Sequence, residues 1–120
     1  TLSGTVIKGD QIGRTIGFPT ANMELDFDRK LVPSDGVYLG FVHISNQPFI
    51  AMANIGRRPT VGATQRSVEV HILNFDGNLY GKRICFEVVK KHREVLHFNT
   101  LDDLKRQLTK DREAARKELA

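Results

Sequence analysis

Tryptophan is absent from this 120-residue chain, cysteine occurs once and proline four times. A single cysteine, Cys85, excludes an internal disulfide, so burial and hydrogen bonding must hold the fold, and a reducing cytoplasm is the compartment expected. Cys85 lies in an apolar strand pattern with no cationic helix start beside it and reads as a small core residue. No apolar run is long enough to cross a bilayer and no signal peptide opens the chain, so no membrane partner is expected. Repeats, low-complexity stretches and linkers are missing too, which fits one domain over residues 1–120. Thr1, not Met, leads straight into strand-like sequence and points to a domain cut from a longer protein or trimmed. Aromatics make up 8% of the residues, few for the stacking platform that a single-stranded nucleic-acid binder needs. His43, His71, His92 and His97 show no metal-ligand spacing, and no Ser-His-Asp or Cys-His set is recognisable.

The net charge of +4 permits a nucleic-acid partner and equally an anionic small substrate. The positive charge is scattered, so it does not choose between them. The middle of the chain is strand-like. Residues 36–44 and 49–56 are rich in β-branched and aromatic residues and flank the turn signal "SNQP", predicting a hairpin. Residues 67–75 and 79–91 flank Asp76-Gly77, a strong local hairpin cue. Residues 2–9 predict a first strand. Many strand positions are apolar on both faces, which fits a small closed antiparallel barrel partly covered by another element. The cover is a helix over 100–119, with Thr100 as N-cap and Asp102 and Asp103 in its first turn. Leu101, Leu104, Leu108, Ala115 and Leu119 form its apolar stripe. Asp111, Glu113 and Glu118, interleaved with Lys and Arg, read as a solvated, salt-bridged face. Residues 9–34, 56–66 and 91–99 are expected to be irregular, and long loops on a rigid barrel usually carry function.

The unusual residues lie in those loops or at strand ends. In "GRTIGFPTAN", Gly13 and Gly17 follow Gly9 at four-residue intervals, with Arg14 among them. Such a segment either cradles phosphate with its N–H groups and a guanidinium fork or is a plain surface loop. It is not a Walker A loop, since Gly-Lys-Ser/Thr is missing. Pro19 makes the chain around it extended. Thr20 and Asn22 then fall on one side, two hard oxygen donors of the kind that hold Mg²⁺ alongside substrate phosphates, or else the caps of an ordinary turn. In "SVEVHILNF", Glu69, His71, Leu73 and Phe75 share one face, and Val68, Val70 and Ile72 share the other. Taken from the strand alone, Glu69 reads as an edge carboxylate facing water, the alternative being a held functional group.

Taken together, "GDQIGRTIGFPTAN", "GVYLGFV", "ANIGRRPTVG", "VEVHILNFDGNLYGK" and "FNTLDDLKRQLTKDREAAR" resemble the riboflavin kinase family, in particular the kinase half of bacterial bifunctional riboflavin kinase/FAD synthetases. The resemblance implies a mainly β fold, a six-stranded antiparallel Greek-key barrel with a C-terminal helix packed on it. It implies transfer of the γ-phosphate of ATP to the ribityl 5′-hydroxyl of riboflavin, giving FMN, with Mg²⁺ as the cation and Mn²⁺ or Zn²⁺ as alternatives. Glu69 would be the base, and Thr20 and Asn22 the metal ligands. Gly9, Gly13, Arg14, Gly17, Thr20 and Asn22 would bind ATP phosphates, and Leu79, Tyr80 and Gly81 would lie on the adenine side. Arg93 and Phe98 would contact the flavin, in a loop where Val95 replaces the Glu common in the family. The partners implied are riboflavin, FMN, ATP and ADP, with an N-terminal FMN adenylyltransferase domain in a full-length chain; these residues alone should not make FAD. The rival is a non-enzymatic barrel that binds single-stranded nucleic acid.

Overall fold

The computed structural model describes residues 1–7, 17–25, 32–60, 63–75 and 77–120. Six strands come first, β1 (Leu2–Ile7), β2 (Ala21–Leu25), β3 (Gly36–Ile44), β4 (Gln47–Thr60), β5 (Ala63–Ile72) and β6 (Arg83–Arg93), followed by a helix, α1 (Leu101–Leu119). The strands close into an antiparallel barrel in the order β1-β2-β5-β4-β3-β6. β6 returns beside β3 of the β3-β4-β5 meander, which is the Greek-key connection. The β3–β4 hairpin turns through Ser45 and Asn46, both at positive φ (50° and 66°), the backbone that a two-residue type I′ turn demands. Strands β4 and β5 extend as paired arms to Thr60 and Ala63, so the segment 56–66 is largely a hairpin, not an irregular loop.

The Asp76-Gly77 cue does not mark a hairpin, and Asp76 itself lies outside the described residues. β5 pairs with β2 and β4, whereas β6 pairs with β1 and β3. The connection instead crosses one end of the barrel. Leu73 N–H donates to the Ile50 carbonyl and Val6 N–H to that of Lys82, while Leu79 is buried in the barrel interior. A dipeptide reports local turn propensity only, and here the non-local ladders decide.

Alternation divides the strands between two cores. Val6, Met23, Tyr38, Val42, Ala53, Val68, Val70 and Phe86 fill the interior. On the outer face, Phe18, Leu39, Met52 and Leu73 pack under Ala115, with Leu108 and Leu119 half-buried beside them. Helix α1 thus lies over β3 and β4. Its N-cap is Thr100, whose hydroxyl accepts from Asp103 N–H at 3.1 Å. Two members of the predicted pattern differ. Leu101 is 52% exposed, and Asp111, expected in solvent, is completely buried. Cys85 is not core: it faces outward, half-buried, with its Sγ 2.9 Å from Ser3 Oγ across the β1–β6 ladder.

Closure of the barrel depends on one close backbone approach. A Cβ on Gly40 would sit 1.9 Å from the Glu87 carbonyl oxygen and 3.0 Å from the Phe86 ring, where the β3–β6 register shifts. Gly40→Ala should therefore destabilise the barrel by about 3 kcal/mol, the upper range for overpacking. Gly56, with open space around its Cβ position, supplies the control. In urea unfolding the Gly56→Ala midpoint should stay close to wild type while that of Gly40→Ala falls. Equal midpoints would contradict the close approach.

Candidate active site

A single row of residues crosses five strands on the outer face. Asn22 on β2 stands opposite Glu69 on β5, Glu69 opposite Asn54 on β4, Asn54 opposite Val37 on β3, and Val37 opposite Arg93 on β6. Period-two alternation put the first four on one face, since their neighbours Met23, Val68, Val70, Ala53 and Tyr38 point inward, and Arg93 joins them opposite Val37, where the β3–β6 register shifts. Glu69 is therefore not an edge carboxylate. A closed barrel has no edge at β5, and the strand is flanked on both sides.

Above this row lies a cavity of about 260 Å³ between barrel and helix. Its barrel wall carries Thr20, Val37, Met52, Asn54, Glu69 and His71. Leu104, Leu108 and Asp111 of α1 form the roof, and Val95, Leu96 and Phe98 close one side, with Arg93 and Phe18 completing the lining. The space is mainly apolar, with a few polar groups gathered along one wall, the usual make-up of a small-molecule site.

His71 stands opposite Met52 on the same outer face, and its Nδ1 lies 2.8 Å from the Pro19 carbonyl oxygen. A carbonyl only accepts, so Nδ1 carries the proton and the bond ties the Pro19-Thr20 segment to β5. The Phe18 ring lies 5.3 Å from the imidazole, and the Arg112 guanidinium sits 4.6 Å over the Phe18 centroid. Pro19 cannot donate to a ladder and Gly17 adopts φ +87°, so the chain turns at this point and enters β2. Burial holds the His71 pKa below its ordinary 6.5; the Pro19 bond opposes this and Arg112 and Arg116 add to it. The unfolded chain therefore takes up this proton first. Stability is retained above pH 6.5 and declines as pH falls through the interval between that value and the lowered one. Thermal melts from pH 7.5 to 5.5 should show a shallower decline for His71→Gln than for wild type. Parallel slopes would remove His71 from this role.

Asn22 is 4% exposed, and its Oδ1 has no hydrogen-bond partner among the described residues. Thr20, two residues earlier, reaches the cavity. Such an orphaned carbonyl oxygen is unusual in a folded core and needs an explanation. Among the described residues, no group of three His, Cys, Asp or Glu side chains is placed to hold a metal. Arg93 lines the cavity, with Nε and Nη2 donating to Asp111 at 3.0 and 2.7 Å; Phe98 lines the same cavity. Leu79, Tyr80 and Gly81 do not line it. Leu79 is interior core, Tyr80 is 62% exposed, and Gly81 N–H donates to the Val6 carbonyl at the barrel end. Gly9, Gly13 and Arg14 lie outside the described residues. Asn54, His71 and Asp111 are site residues that the sequence did not mark. The signal for Asp111 was available: it falls between Leu108 and Ala115 in helical phase.

The riboflavin kinase family, described as Flavokinase, matches residues 1–119. This chain belongs to the riboflavin kinase family. It is 43% identical over 116 residues to the bifunctional riboflavin kinase/FMN adenylyltransferase of Escherichia coli, covering 96% of this chain and 36% of that protein. Among solved structures, riboflavin kinase from Trypanosoma brucei superposes with a TM-score of 0.69 at 27% identity, over 98% of this chain and 78% of that one. A Streptococcus pneumoniae protein described as a macrolide-efflux protein superposes with a TM-score of 0.88 at 37% identity, over 96% of this chain and 38% of its own. The chain thus spans little more than a third of the bifunctional relative it matches. The six-stranded barrel and C-terminal helix expected of a riboflavin kinase are the fold observed.

Proposed function

We propose that this chain transfers the γ-phosphoryl group of ATP to the terminal ribityl hydroxyl of riboflavin, giving FMN and ADP. The observation that carries this reading is the half-buried carboxylate of Glu69 on the wall of a mainly apolar cavity between barrel and helix. A flat ring system fits between such walls, with Arg93 and Phe98 beside it, and a hydroxylated tail can reach the polar row. Glu69 orients the hydroxyl and accepts its proton, while positioning supplies most of the acceleration in a loose phosphoryl transfer.

The oxygen of Asn22, orphaned in the fold, and the Thr20 hydroxyl suit a hard cation that takes its remaining ligands from phosphates and water, Mg²⁺ above all, with Mn²⁺ next and Zn²⁺ less well matched. When bound, that cation neutralises charge on the phosphate oxygens. Gly9, Gly13, Arg14 and Gly17 serve the phosphates, and Leu79, Tyr80 and Gly81 the adenine side. In the whole protein an FMN adenylyltransferase domain precedes this one, and the cytoplasm is its compartment. The nucleic-acid alternative is not favoured: among the described residues Tyr80 is the aromatic left mainly exposed, too little for a stacking platform.

The test is incubation with riboflavin, ATP and Mg²⁺ followed by separation of flavins and nucleotides. FMN and ADP in equal amounts, without FAD, are expected. Absence of FMN would overturn the proposal.

A further inference from the structure

Asp111 is a completely buried carboxylate in the middle of the helix face that docks on the barrel. An apolar side chain there would dock the helix as well, and replacing a buried ion pair with packed hydrophobic groups is often neutral or stabilising. Helix docking therefore does not account for a charge at this position.

Its partners do. Asp111 accepts from Arg93 Nε and Nη2, from His92 Nε2 at 3.1 Å and from Gln107 Nε2 at 3.0 Å. The same Arg93 guanidinium donates through Nη1 to the Glu94 carbonyl at 3.0 Å. Arg93 is the last residue of β6. Beyond it the chain leaves the sheet, and Val95, Leu96 and Phe98 form one side of the cavity. A planar fork held at two nitrogens by the helix and at the third by a backbone carbonyl fixes the direction in which that segment departs.

We propose that Asp111 is a positioning residue that, through Arg93 and the Glu94 carbonyl, holds segment 94–98 as a wall of the flavin cavity. The substrate named here rests on the riboflavin kinase reading above. The wall contacts riboflavin in the ground state and the transition state alike, so its loss raises KM more than it lowers kcat.

The experiment pairs riboflavin kinetics with hydrogen exchange on Asp111→Asn, which keeps the shape and removes the charge. Misplacement of the wall should raise the riboflavin KM about ten- to a hundredfold, with kcat within about threefold of wild type. Exchange should quicken at amides 94–98 while α1 stays protected. A merely structural Asp111 makes the opposite forecast: helix and segment loosen together, and activity follows the folded fraction at unchanged KM. That result, or unaltered KM and exchange, would overturn the proposal. Should Asp111→Asn not fold, Arg93→Lys decides, since one ammonium keeps the charge for Asp111 but cannot also hold the Glu94 carbonyl. Because Arg93 itself lies beside the ring, the readout for this variant is exchange: quickened amides at 94–98 with α1 still protected are expected, and unchanged exchange overturns the proposal. Failure of wild type to form FMN would sink the riboflavin reading, and the exchange result would then judge the positioning role independently.

Discussion

Glu69→Gln should fold and bind riboflavin as wild type does, yet form FMN about two or more orders of magnitude more slowly in a single turnover. Glu69 sits on a strand paired on both sides, between Asn22 and Asn54, and the amide keeps its size in that row. Only the charge and the capacity to take a proton are lost. Ground-state binding is therefore preserved while the transition state loses its base. If the carboxylate served the fold alone, the melting temperature would drop and activity would follow the folded fraction. Paired measurement of melting temperature and single-turnover rate separates the two. A folded, flavin-binding variant with a near-normal rate would remove Glu69 from the mechanism.

Loss of turnover by about a hundredfold or more is also expected for Asn22→Ala, by the measure of a lost preorganised electrostatic contact. Its Oδ1 lies buried without a partner among the described residues, and an unmet buried acceptor weakens a fold by about 1–3 kcal/mol. Removing it should relieve that penalty and offset the small void left behind, so the melting temperature should change little. Riboflavin affinity should also hold, because the oxygen serves the cation and phosphates, not the ring. Raised Mg²⁺ should recover part of the rate if Thr20 still binds the ion. Wild-type turnover at ordinary Mg²⁺ would end the assignment of Asn22 as a ligand.

The sequence by itself determined the local pieces. Alternation separated Val68, Val70 and Ile72 from Glu69 and His71, and the structure keeps that division. Ser45-Asn46 lay within the turn signal "SNQP" and Thr100 capped the helix. These features follow from backbone preferences spanning a few residues, which any short segment carries within it. Strand β2 went unread, since Ala21–Leu25 falls in the stretch 9–34 that was expected to be irregular and becomes a strand by pairing with β1 and β5. Apart from the β3–β4 hairpin, which the turn signal foretold, the tertiary structure decided which strands are neighbours. Asp76-Gly77 suggested that β5 pairs with β6, yet β5 lies between β2 and β4, because register and partner are settled by burial of the whole sheet. That placement turned Glu69 from an apparent edge residue into a member of a row running from Asn22 to Arg93, residues 71 positions apart in the chain, with a paired strand on each side of it. It also buried Asp111. Charge content made that residue look solvent-facing, but helical phase placed it on the docking stripe, and Arg93 and His92 arriving from a distant strand, with Gln107 one turn away, made the burial of its charge tolerable.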